Sequence, residues 1–223
     1  MIYIDKIING KPIQYITNEQ EFMKLKFYVD ENVLIPQPDT EILAEKIIDE
    51  YSDKEVKIWD LCTRSGAIAI SLAKYIKKSN IIATDISNKA IQIAKLNAEK
   101  NLVHKKIKFI LSDMFKNIEN DTFDLIVSNP PYIKTDVINN LEKSVQNEPN
   151  IALDGGEDGL KFYKIIAENA YKFLNNNGKL YLEIGFDQKE NVINLLQKTY
   201  KYNEITCIKD LAGNDRLIIA SKI

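Results

Sequence analysis

Apolar residues recur along this chain in two alternating patterns. Short runs at Val56-Lys57-Ile58-Trp59-Asp60-Leu61, 80–85, 106–111, Phe123-Asp124-Leu125-Ile126-Val127-Ser128 and 179–184 read as buried strands. Stretches with helical spacing stand at 41–51, 65–76, 87–100, 159–174 and 188–200. In the first of these, Ile42, Leu43, Ile47 and Ile48 share one face behind Asp39 or Thr40 as cap, and Ser87 caps the third. Residues 204–209 and 216–220 close the chain as a strand pair around Gly213-Asn214. Repeated strand–helix units predict an α/β fold: a parallel sheet covered on both faces, with an antiparallel pair at one edge. Residues 1–40 break the pattern. Tyr15-Ile16 and Phe27-Tyr28-Val29 read as short strands behind an Asn9-Gly10-Lys11-Pro12 turn. We expect a hairpin-and-linker extension at 1–40 and a main domain at 41–223.

Composition narrows the function classes. With 223 residues, 45% of them hydrophobic, the chain can build one well-cored domain with a small appendage. A net charge of −2, without a basic stripe, is unlike a nucleic-acid binder. The first residues lack a charged-then-apolar signal layout, and no apolar run is long enough to span a bilayer. The two cysteines, Cys62 and Cys207, make no metal pattern, and His104, the single histidine, sits in a polar loop. The expectation is a reduced, cytoplasmic, monomeric protein without a metal. Trp59 reads as core, and Asn214-Asp215-Arg216 as a hairpin turn with surface charge. Glu183 ends a strand, where capping and a rim function are equally open.

The candidate chemistry starts at Asn129-Pro130-Pro131-Tyr132, directly after a buried strand. Two prolines fix two φ angles and remove two donors, leaving carbonyl acceptors beside an Asn amide and a Tyr ring. A stiff, acceptor-rich pocket with one aromatic wall suits a planar NH2 group. The turn after the first main strand, Asp60-Leu61-Cys62-Thr63-Arg64-Ser65-Gly66, opens a helix and can hold an anionic group on backbone N–H. The next strand ends in Asp85, on the order of 20 residues on, where an acid can accept from ribose hydroxyls. Ser112-Asp113-Met114-Phe115 follows the third strand, with an acid for an adenine amino group and a thioether for the ring. Alone, this set fits a dinucleotide as well as S-adenosylmethionine. The Asn-Pro-Pro-Tyr turn shifts it to a methyltransferase.

These residues, together with Val33-Leu34-Ile35-Pro36-Gln37-Pro38-Asp39-Thr40-Glu41, Glu148-Pro149, Leu153-Asp154-Gly155-Gly156, Leu182-Glu183-Ile184-Gly185 and Asp210-Leu211-Ala212-Gly213, stand in one order. In that order the chain resembles the HemK/PrmC family of peptide-chain release factor N5-glutamine methyltransferases, over nearly its whole length. The resemblance implies a class I, Rossmann-like sheet of seven mostly parallel strands. It implies S-adenosylmethionine as methyl donor, S-adenosylhomocysteine as product, and the glutamine of a release factor Gly-Gly-Gln motif as acceptor. By position, Cys62, Thr63, Arg64, Ser65 and Gly66 form the cofactor loop, with Thr63, Ser65 and Gly66 under the methionine part. Asp85 takes the ribose, and Asp113 and Met114 the adenine. Asn129, Pro130, Pro131 and Tyr132 hold the target amide, and Asn129 also borders the cofactor.

Several positions depart from the family pattern. Cys62 and Arg64 stand where glycines are usual, and a positive φ at Arg64 would cost roughly 1–2 kcal/mol. Gln37 stands at a usual arginine, and Asn18 and Lys24 at common glycines. The family's helical N-terminal domain is expected to be missing, with residues 1–40 as the remaining hairpin and linker. Two rival functions stay open: adenine-N6 methylation of nucleic acid, with Tyr132 stacking on a flipped base, and a non-catalytic module that Arg64 prevents from holding the cofactor.

Overall fold

The computed structural model describes residues 10–118 and 121–223, so Asn9 of the expected turn, with the rest of 1–9, lies outside it. A short helix, Ile13–Thr17, precedes a hairpin of β1 (Gln20–Phe22) and β2 (Leu25–Phe27). The hairpin is present, but Tyr15-Ile16 is not its first strand. Pro12 supplies a helix-compatible φ of −53° at the helix start, and Asn18 closes the helix in the left-handed region at φ 55°. Tyr15 is buried, and its hydroxyl donates to the Val33 carbonyl at 2.6 Å. Met23 and Lys24 turn the hairpin at φ 51° and 59°, the two positive angles a tight hairpin turn matched to strand twist requires. The glycines expected at 18 and 24 would suit the same angles.

The main sheet comprises β3 (Glu55–Leu61), β4 (Lys78–Asp85), β5 (Ile107–Leu111), β6 (Phe123–Ser128), β7 (Leu174–Glu183), β8 (Tyr202–Lys209) and β9 (Asp215–Lys222). Their order is β5-β4-β3-β6-β7-β9-β8. The first five strands pair in parallel, while β9 runs antiparallel to both β7 and β8. Alternate residues of each strand enter separate cores. Ile58, Leu125 and Val127 face the helices Glu41–Tyr51, Ala67–Tyr75 and Asn88–Lys100, together with Phe22 and Phe27 of the hairpin. Trp59, Ile126 and Leu182 face the helices Lys161–Asn169 and Lys189–Lys198. Trp59 is fully buried and donates Nε1–H to the Thr84 hydroxyl at 2.9 Å.

Two sequence expectations change. The helix expected over 159–174 ends at Asn169, because Leu174 pairs with Phe123 as the first residue of β7 and strand pairing overrides helical spacing. Between β6 and that helix lie three four-residue helices, Thr135–Ile138, Lys143–Gln146 and Asn150–Leu153, each too short to show a period. Among the described residues no helix is long and apolar enough to cross a membrane.

One buried side chain ties the N-terminal extension to the sheet domain. Asn97, fully buried on the helix Asn88–Lys100, accepts from the Tyr28 N–H at 2.7 Å. It donates to the Tyr28 carbonyl at 3.0 Å and the Ser65 carbonyl at 2.9 Å. Asn97→Leu keeps similar volume but strands three backbone groups, each costing about 1–3 kcal/mol when left unpaired. Denaturant unfolding of this variant is expected to show a loss of about 3 kcal/mol; a loss under about 1 kcal/mol would overturn this role.

Candidate active site

The turn after β3 folds under an unusual constraint. Cys62, Arg64 and Gly66 all have positive φ, at 65°, 56° and 82°. Only Gly66 takes that angle without a side-chain penalty. A Cβ at Gly66 would lie 2.9 Å from Ile70 Cδ1 and 3.1 Å from Ala94 Cβ, so this position needs glycine for space as well. Three buried groups hold the turn. Asp60 accepts from the Thr63 hydroxyl at 2.6 Å and the Ala69 N–H at 3.2 Å. Asp85 accepts from the Arg64 N–H at 2.8 Å, and Asn97 takes the Ser65 carbonyl. Burial raises the Asp60 carboxyl to about 7 against those hydrogen bonds.

A cavity of about 410 Å³ opens at the carboxyl ends of β3, β4 and β5. That is where open α/β sheets bind ligands, and the size is within the roughly 300–1,000 Å³ of small-molecule sites. The structure brings Cys62, Arg64, Asp85, Asp113, Met114 and Pro131 onto its wall. Cys62 Sγ and Met114 Sδ meet at 4.0 Å. Asp85 uses its two oxygens on the N–H groups of Arg64 and Ser87, which leaves carboxylate lone pairs for hydroxyl donors. Desolvation raises its pKa. The Asp113 carboxylate leans outward onto Lys116 at 2.6 Å, with its side chain about half exposed. Thr63, Ser65 and Gly66 sit in the same turn behind the cavity's lining. The Thr63 hydroxyl is spent on Asp60, and the Ser65 carbonyl on Asn97.

A second cavity, of about 240 Å³, adjoins the first and shares Leu34, Arg64 and Ala152 with it. Asn129 and Tyr132 line it, with Asp39, Glu148 and Glu183. Pro130 is buried beside them and lines neither cavity. Asn129 is 5% exposed and donates Nδ2–H to the Thr40 hydroxyl at 3.1 Å. Thr40 thus binds the turn rather than capping its own helix, which has no side-chain cap. Asn129 Oδ1 is buried without a partner, and so is Glu183 Oε2. Buried polar atoms are seldom left unpaired, and two in one cavity mark a place for a donor-bearing ligand. The Tyr132 hydroxyl is 3.5 Å from the other Glu183 oxygen.

Arg64 does not turn outward. Its guanidinium donates to the Ala152 carbonyl at 2.9 Å, on the wall common to both cavities. Gln37 lines the second cavity as well. The positive charge expected at 37 therefore enters the same space from position 64.

Three site residues carried no assigned role in the sequence. Glu148 accepts from the Ile35 N–H at 2.8 Å, and burial lifts its carboxyl to about 6. Arg216, read as surface charge, is largely buried and bridges Asp39 and Asp210, each at 3.1 Å. Asp39 itself lines the second cavity. The antiparallel direction of β9 carried a signal for Arg216, because it puts that strand's start beside the carboxyl end of β7, where Leu217 pairs with Glu183.

The comparisons with known proteins bear on family and fold. The model of the methyltransferase small domain family matches residues 37–210. A release factor glutamine methyltransferase of Clostridium botulinum is 43% identical, over 98% of this chain and 78% of its own length. One of Thermodesulfovibrio yellowstonii is 41% identical, over 98% and 79%. Among solved structures, a methyltransferase from Pyrococcus furiosus superposes with a TM-score of 0.66 at 20% identity, covering 99% of this chain and 98% of that one. The hMettl16 catalytic domain, in complex with a MAT2A 3'UTR hairpin, gives 0.72 at 14%, covering 96% and 82%. The two structures share the fold. At more than 40% identity over 98% of its length, the chain belongs to the release factor glutamine methyltransferase family.

Proposed function

We propose that this chain transfers the methyl group of S-adenosylmethionine to the side-chain amide nitrogen of the glutamine in the Gly-Gly-Gln motif of peptide-chain release factors. The observation that carries the reading is Asn129 Oδ1, a buried acceptor with no partner, facing a cavity next to the cofactor-sized one. An amide NH2 is the group that such an acceptor lacks. The relatives' names supply the substrate class, and nothing in the comparisons favours the nucleic-acid or the non-catalytic alternative. We place the reaction in the cytoplasm, on a protein substrate without direct nucleic-acid contact, with the enzyme as a monomer.

In this reading the 410 Å³ cavity holds the methyl donor, with Asp85 on the ribose hydroxyls and Met114 against the base. The donor supplies an electrophilic methyl on a sulfonium. The chain's own residues position the acceptor. An amide nitrogen is a poor nucleophile because its lone pair is delocalised into the carbonyl. Asn129 Oδ1 would take one N–H, and on the resemblance the Pro130 carbonyl the other. This bends the nitrogen towards tetrahedral geometry and localises its lone pair towards the methyl donor. As the N–C bond forms the methyl–sulfur bond breaks, and the methylated nitrogen sheds its extra proton to water afterwards. Tyr132 lies along the amide plane, and the two prolines keep the acceptors from moving. The rate gain then comes from orientation and fixed dipoles, not from a strong base.

The test is incubation with S-adenosylmethionine and an unmodified release factor, followed by mass spectrometry of the Gly-Gly-Gln peptide. One methyl on the glutamine is expected, and none on a factor whose motif glutamine is replaced. Asn129→Ala should lower kcat by about 10²–10³, the loss typical of one preorganised polar group, while S-adenosylhomocysteine still binds. A loss under about tenfold would remove Asn129 from this role.

Arg64→Gly tests the cofactor loop. The substitution relieves roughly 1–2 kcal/mol of left-handed strain, offset by the roughly 0.5–1 kcal/mol of extra chain entropy that glycine loses on folding. These two contributions largely offset each other, and the loss of the Arg64 counter-charge to the buried acids is expected to lower thermal stability modestly. Clearing the side chain from the wall should tighten S-adenosylhomocysteine binding by about tenfold in calorimetric titration, or about 1.4 kcal/mol. Unchanged affinity would show that Arg64 is accommodated at no cost.

A further inference from the structure

The Tyr132 ring can shape the acceptor cavity only while the main chain that carries it is fixed. The two prolines stiffen the turn before it, but they do not hold residue 132 itself. Its carbonyl is taken by the Gln188 side chain, whose Nε2 donates at 3.0 Å. The other Nε2 proton goes to the Gly159 carbonyl at 3.2 Å, and Gln188 Oε1 accepts from the Gly185 N–H at 3.0 Å. Both partners of the nitrogen are acceptors and the partner of the oxygen is a donor, so the amide has one orientation. Gln188 is 4% exposed and lines neither cavity. It stands at the start of the helix Lys189–Lys198 without capping it, so its amide is spent on these three segments.

Three glycines show how closely the chain is gathered around this amide. A Cβ at Gly159 would lie 2.6 Å from the Tyr132 carbonyl oxygen and 2.7 Å from Gln188 Nε2. One at Gly155 would lie 2.8 Å from Tyr132 Cα, and one at Gly185 2.9 Å from Gln188 Oε1. None of the three positions could carry a side chain without displacing Tyr132 or Gln188. On the other side of Tyr132 the ties are backbone only: Ile133 N–H donates to the Leu153 carbonyl at 3.0 Å, and Gly155 N–H to the Ile133 carbonyl at 2.8 Å. Among the described residues no other side chain bonds the Tyr132 main chain.

We propose that Gln188 is a positioning residue for methyl transfer: its amide locks the Tyr132 main chain onto the Gly159 loop and the turn after β7, and so holds the Tyr132 ring as the wall of the acceptor cavity. The inference rests on the glutamine-methylation reading and deepens it. A carboxamide suits the place because two carbonyls and one N–H converge there, and it alone offers two donors and an acceptor on one uncharged group. Without it the Tyr132 carbonyl has no partner, and a peptide that turns to find one carries the ring with it. The ring's own polar contact, from its hydroxyl to Glu183 at 3.5 Å, is too long to resist that turn. A wall displaced by about 1 Å can cost about 100-fold in transfer.

The test separates turnover from the position of the ring. Gln188→Met has a similar reach and no donors. Its kcat is expected to fall by about 10-fold to 100-fold, with S-adenosylhomocysteine affinity within about twofold of the parent. Gln188→Ala leaves room for water to satisfy the stranded backbone groups, so it should fold and still lose kcat. Because Gln188 acts through Tyr132, adding Gln188→Met to Tyr132→Ala should cost less than about twofold beyond Tyr132→Ala alone. A merely structural role would cost the same factor in either background. In carbon–proton NMR with ring-labelled tyrosine, the Tyr132 signal, assigned by its absence in Tyr132→Phe, should shift or broaden in both Gln188 variants. The signal of Tyr15, on the N-terminal helix, should stay in place. The parent kcat in the Gln188 variants, losses that multiply in the double variant, or an unmoved Tyr132 signal would each overturn the proposal. If the parent protein does not methylate the release factor while the Tyr132 signal moves as stated, the functional reading fails and the tether stands.

Discussion

Most of what this fold presents to a ligand depends on one strained turn. Three alternate residues after β3, at 62, 64 and 66, hold left-handed backbone angles, two of them with side chains that disfavour it. The turn persists because buried partners over-determine it. Asp60 sits beneath, fully buried, with its carboxyl pushed up to about 7 by the absence of water and kept useful by two donors. Asp85 reaches across from β4 to the Arg64 N–H, and Asn97 from the next helix to the Ser65 carbonyl. Those tethers also set the larger geometry. Asn97 holds the hairpin extension through Tyr28, and the loop beyond that hairpin, through Asp39, forms one wall of the acceptor cavity.

The parts of this molecule that sequence made legible are those with local causes. Apolar runs located all seven main strands: the central ones bury both faces and show it within a few residues, while the edge strands β5 and β8 are more exposed. The missing glycine at 64 raised the case of a positive φ, which the backbone adopts there and at Cys62 as well. Tyr15-Ile16 misled because two apolar residues cannot distinguish a strand from one helical turn, and Pro12 decided the matter. The cavity walls were harder. Thr63 and Ser65 are small polar residues in a ligand-facing loop by position, yet their bonds run inward to Asp60 and Asn97, which only the fold brings near. Glu148, Glu183 and Arg216 have partners in remote segments, so no spacing in the chain could show that they converge.

That convergence raises an electrostatic problem that the sequence states only as a departure at position 64. The two cavities and their floor gather Asp60, Asp85, Glu148 and Glu183, four carboxyl groups largely or wholly out of water. Burial raises the pKa of each. In every one of the four, Arg64 acts in the opposite direction and favours the charged form. Arg216 assists at Glu183. A guanidinium suits this place because it stays ionised when half-buried and its planar fork can serve several acceptors. Glycine at 64 would remove the backbone strain and open the wall, but it would leave four buried acids with one fewer counter-charge. The strained Arg64 is thus a compromise between cofactor space and charge balance.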